Sequence, residues 1–80
     1  MRIPSIHMNG TSRSEIVESL LTSQRALMAA AETLYRPNAR DFYVQGETAF
    51  NEAQREFEAR MSKLTEVRRE IESMLEEVCE

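Results

Sequence analysis

Apolar residues recur along this chain at helical spacing in two long stretches, separated by a polar, turn-prone segment. In the first, Ile16, Leu20, Leu27, Ala31 and Leu34 form one stripe, with Val17, Leu21, Met28 and Tyr35 beside it. In the second, Phe50, Phe57, Leu64, Ile71 and Val78 return every seven residues. Ala53, Val67 and Met74 fill the position three further on, which gives a coiled-coil-like seam. Arg60 takes that position once, with Met61 beside it as the apolar substitute. The pattern predicts an all-α fold: an antiparallel two-helix hairpin with a short extended N-terminal arm, assembled as a homo-oligomeric helical bundle.

The expected organisation is a single domain over 1–80, with an arm at 1–10, helix one at 11–36, a connection at 37–46 and helix two at 47–80. Pro4 pushes Ile3 out of the α region, Ile6-His7-Met8 alternates as a short strand does, and Asn9-Gly10 signals a turn. Ser12-Arg13-Ser14-Glu15 has the form of a capping box, with Thr11 as an alternative cap. Pro37 ends helix one near Tyr35 or Arg36, and Gly46 precedes a helix with no Pro or Gly inside it. At 1.5 Å per residue, about 32 residues of helix two would outreach about 24 of helix one by roughly two turns. An apolar end comprising Ile71, Met74, Leu75 and Val78 is then expected to need cover from the arm or from another subunit.

Composition narrows the classes of function. Eighty residues form a modest core, and a lone two-helix hairpin is marginal, so self-association is expected. Cys79 is the single cysteine, which excludes an internal disulfide and suits a reducing cytoplasm. The start of the chain lacks the apolar run of a signal peptide, and no stretch approaches the ~20 apolar residues of a membrane span. The expected setting is a reducing cytoplasm, with no membrane partner. Residues 1–46 hold five Arg against four acids, whereas 47–80 hold five basic residues against ten Glu. That acidic second half disfavours duplex DNA as a partner.

No catalytic constellation is visible. His7 is the lone histidine, Glu and His do not occur at metal-ligand spacing, and no glycine-rich phosphate loop exists. The expectation is a protein that is not an enzyme and uses no cofactor or metal. The candidate chemistry sits in Pro37-Asn38-Ala39-Arg40-Asp41-Phe42-Tyr43-Val44-Gln45-Gly46. Arg36 and Arg40 offer planar forks suited to phosphate or carboxylate. Phe42 and Tyr43 offer faces on which a base could stack, and Asn38 and Gln45 can read a donor–acceptor edge. The N-terminus of helix two adds free N–H groups and a positive dipole end. The same residues also make a structural plug for the open end of the hairpin. Arg60 has two readings as well: an edge side chain with its head in water, or a buried Arg that pairs with Asp41, Glu32 or an anionic ligand.

The segments Asn9-Gly10-Thr11-Ser12 and 37–46 resemble a group of small phage and prophage proteins with an Asn-Gly-Thr-Ser arm and a Pro-Asn-x-Arg-Asp-aromatic-Tyr-x-Gln-Gly connection between two helices. Ala39 stands where Gly is frequent, and Phe42 replaces a Tyr. The resemblance implies an anti-defence role in the host cytoplasm. One form is sequestration of a small anionic nucleotide signal, of cyclic oligonucleotide or cyclic ADP-ribose type, by Arg36, Asn38, Arg40, Phe42, Tyr43 and Gln45. The alternatives are a protein–protein inhibitor or adaptor that meets a host or defence protein through acidic helix two, and a structural coiled-coil assembly component.

Overall fold

The computed structural model describes residues 1–4 and 12–79. The expected strand-like arm, the Asn9-Gly10 turn, His7 and Thr11 lie outside the described residues. Two helices and a short 3-10 turn make up the described fold: α1 at Arg13–Thr33, the turn at Ala39–Phe42, and α2 at Glu47–Cys79. The helical hairpin expected from the pattern is present, with no strand among the described residues. No described helix is long and apolar enough to cross a membrane.

Each helix end has a local cause. Ser12 is extended and its Oγ accepts from the Glu15 amide at 3.3 Å, while its carbonyl accepts from the Ile16 amide at 3.0 Å. Ser12 Oγ also lies 3.3 Å from Ser14 Oγ. At the other end α1 stops at Thr33, three residues before the expected boundary. Leu34 is extended there (φ −61°, ψ 133°), and Arg36 must avoid the α region because Pro37 follows it. Thr33 Oγ1 donates to the Ala29 carbonyl at 2.9 Å, which gives a late carbonyl of the helix a second partner. Gly46 has a φ of +98°, a left-handed value that glycine adopts without steric cost. Its amide closes the turn onto the Phe42 carbonyl at 2.8 Å, and its carbonyl accepts from Phe50 at 3.2 Å as α2 begins.

The register of the hairpin differs from expectation. Gln24 Nε2 donates to the Arg68 carbonyl at 3.2 Å. Stepping outward from that contact in opposite directions brings the start of α1 about level with the end of α2. Ile71 and Val78 are accordingly buried within the chain itself, at 7% and 4% exposure, and no second subunit is needed to cover them. The excess length of α2 lies at its N-terminal end, where the connection folds back along it. Phe57 is buried there beneath Arg36.

The seam on α2 also drifts. Phe57, Met61, Leu64, Arg68, Ile71, Leu75 and Val78 are the buried or half-buried line, at alternating steps of four and three. Val67 is 43% exposed, so Arg68, not Val67, turns inward. Arg60 is exposed and its guanidinium reaches Glu56 at 3.5 Å one turn earlier, which makes it an edge residue rather than a buried one. A helix of 3.6 residues per turn rotates away from a strict seven-residue repeat, and the inward position moves to the next residue.

Gln24 fills the gap in the first stripe between Leu20 and Leu27, so a polar residue sits at the middle of the interface. Gln24 Oε1 and Arg68 Nε are both buried without a hydrogen-bond partner. An unpaired buried polar atom costs about 1–3 kcal/mol. Gln24→Leu should therefore raise the thermal midpoint by about 4–8 °C, corresponding to ~1 kcal/mol in a domain of this size. Gly46→Ala should lower stability by about 1–2 kcal/mol, because a Cβ meets nothing within 4 Å and only the left-handed φ opposes it. Thermal and urea melts followed by circular dichroism check both.

Candidate functional site

The connection is a strap laid along the first three turns of α2. Arg36 sets one end: its guanidinium carbon lies 4.7 Å from the centre of the Phe57 ring, a cation–π contact. Pro37 is buried beside it. Asn38 then caps the 3-10 turn, its Oδ1 accepting from the Arg40 amide at 2.9 Å and from Arg40 Nε at 3.4 Å. The Asp41 amide donates to the Asn38 carbonyl at 2.9 Å. Tyr35 reaches across the turn and its hydroxyl donates to Asp41 Oδ2. Phe42 tucks under the strap against Phe50, with ring centroids 6.1 Å apart and tilted by 43°. The strap is thus pinned at three places: Arg36 on Phe57, Tyr35 on Asp41, and Phe42 on Phe50.

What the pins leave free is the tip. Tyr43 is 87% exposed and Val44 95% exposed, side by side on a turn whose base is fixed by Phe42. Two shallow grooves flank Phe42. One, of about 290 Å³, runs between Tyr35, Pro37 and Gln45 on the strap and Glu52, Glu56 and Arg60 on α2. The other, of about 370 Å³, lies among Ala39, Phe42, Tyr43, Glu47 and Phe50. Carboxylates outnumber cations in the lining of both, which makes the field in each unfavourable to an anion.

The six candidate ligand residues therefore separate. Arg36 is on Phe57 and Arg40 is on Asn38, so the two guanidiniums face different partners rather than one shared phosphate position. Phe42 is half-buried, Tyr43 is free, and Gln45 lines the first groove. Three features of this region escaped the sequence pattern. Tyr35 belongs to the strap and not to α1. Asp41 holds Tyr35 rather than Arg40. Val44 is as free as Tyr43. The signal for the first was Pro37, two residues on, which already favours an extended Arg36. Among the described residues no group of His, Cys, Asp and Glu side chains is placed to hold a metal ion.

Comparison with known proteins adds no family: no family model, no curated protein and no solved structure matches this chain.

The Tyr35–Asp41 bond gives the strap a pH signature. Hydrogen bonding to the Asp41 carboxylate holds the Tyr35 phenol above its ordinary value of 10.0, with desolvation and the carboxylate charge acting in the same direction. A raised folded value means that this contribution to stability is complete below the ordinary phenol range. It is lost as pH climbs through the raised value. In a Tyr43→Phe background, which leaves one phenol, ultraviolet titration should show Tyr35 ionising above the ordinary range. Adding Asp41→Asn should bring it down. Identical titration curves with and without Asp41 would remove the bond from the account.

Proposed function

We propose that this chain is a non-enzymatic, homo-oligomeric helical hairpin that binds a partner protein through the tip of its strap. The supporting observation is the exposure of Tyr43 and Val44 together on a pinned turn. Exposed aromatic and aliphatic side chains on a fixed base lose little conformational freedom on docking, and aromatic anchors carry much of the energy of protein interfaces. The carboxylates beside the tip favour a partner surface that combines an apolar pocket with basic residues. The acidic balance of α2 extends the same preference along the hairpin. The resemblance to small phage proteins suggests a bacterial host or defence protein as that partner.

A second reading keeps the nucleotide signal. It is favoured by the free face of Tyr43 and by the exposed positions of Arg36 and Arg40, and it requires both guanidiniums to leave their present partners. The two readings differ in their tests. A photo-crosslinking residue at position 43 should yield one discrete adduct in host cells, lost on Val44→Ser and weakened by salt. The same residue at position 58 should not yield it. Isothermal titration with cyclic di- and trinucleotides and cyclic ADP-ribose isomers should give no heat. Heat that disappears in Arg36→Ala and Arg40→Ala, with no adduct from position 43, would overturn the protein-binding reading in favour of the signal-binding one.

A further inference from the structure

The first helix carries an apolar flank beyond the line that the hairpin buries. Ile16, Val17, Leu20, Gln24, Leu27 and Ala31 are half-buried, the face turned to α2. Leu21 and Met28, seven residues apart, lie one step round the helix from that face and are open: Leu21 is 39% exposed and Met28 46%. No residue of α1 is fully buried. A helix with an open apolar flank beside its packed face can be gripped from two sides.

We propose that a second copy of this chain covers the Leu21–Met28 flank, α1 against α1 in antiparallel pairing. The inference rests on the self-association part of the function proposed above and assigns it a surface. Charge selects a second copy as the occupant. Glu18, Arg25 and Glu32 are exposed and follow one another at seven-residue spacing. They border the flank on the edge away from α2, since Leu20, Leu27 and Leu34 occupy the other edge. An antiparallel pair displaced by half a heptad sets Arg25 of one copy against Glu18 or Glu32 of the other, twice by symmetry. Among the described residues Arg25 makes no ion pair within its own chain, where Glu56–Arg60 is the one salt bridge present.

Sedimentation equilibrium over a concentration series tests this. The parent should dimerise, and Leu21→Glu with Met28→Glu should raise the dissociation constant at least ~100-fold while helicity is kept. Val67→Glu, on the exposed flank of α2, should leave it unchanged. Arg25→Glu touches no hairpin contact and should weaken the dimer about tenfold. Mixing it with a Glu18→Arg, Glu32→Arg chain should restore association as a heterodimer, an outcome that damage to folding would not produce. A parent that stays monomeric overturns both the self-association and its surface. A parent that dimerises equally well with Leu21 and Met28 replaced overturns the surface alone.

Discussion

The difference in length between the two helices governs everything else in this structure. α1 has 21 residues and α2 has 33, so at 1.5 Å per residue one is roughly 18 Å longer than the other. An antiparallel hairpin can place that excess at either end. Here the contact of Gln24 with Arg68 places it at the N-terminal end of α2. The apolar C-terminal turns of α2 lie alongside α1, and the first three turns need another cover. The connection supplies it, which is why residues 34–46 are chemically richer than a helix–helix turn requires.

From that follows the division of labour within the connection. A segment that shields a helix must bury some side chains and satisfy its own backbone. Phe42 and Pro37 do the first, with Arg36 laid over Phe57. Asn38 and Gly46 do the second, through the cap on the 3-10 turn and the left-handed close onto Phe42. Tyr35 and Asp41 tie the two limbs of the strap. Tyr43 and Val44, the most exposed apolar side chains of the strap, are left without a structural task. Of the two residues most readily taken for a phosphate clamp, Arg36 holds the strap onto Phe57 and Arg40 closes on Asn38 within the turn.

Much of this was legible in the sequence. The two helices follow from their stripes, the start of α1 from Ser12, and the start of α2 from Gly46. The end of α1 was misplaced because Leu34 and Tyr35 continue the helical spacing, although Pro37 already restricts the residue before it. The register was not legible. A seam without Pro, Gly or a unique layer reads equally well when slid along its partner, and the one polar residue that marks a layer, Gln24, sits in a stripe otherwise defined by its apolar members. With the register unknown, the connection looked like a cap on the end of the hairpin, and Arg60 kept two readings, an edge side chain or an inward-facing cation. Rotation of the helix past its heptad gives that place to Arg68. The chemistry of the strap was visible residue by residue, but its internal pairing depends on three-dimensional neighbours that sequence separation does not reveal.

The central claim is the register, and Cys79 makes it measurable because it is the single cysteine of the chain and is exposed. A second cysteine introduced by Arg13→Cys allows spin labels at both sites, in chains diluted with unlabelled protein so that only distances within one chain are read. With the ends of α1 and α2 level, the labels should lie about one interhelical spacing apart, roughly 10 Å plus the label arms. A hairpin whose connection is only an end cap would leave Cys79 some 18 Å further along the axis, and a distance in that longer range would contradict the account.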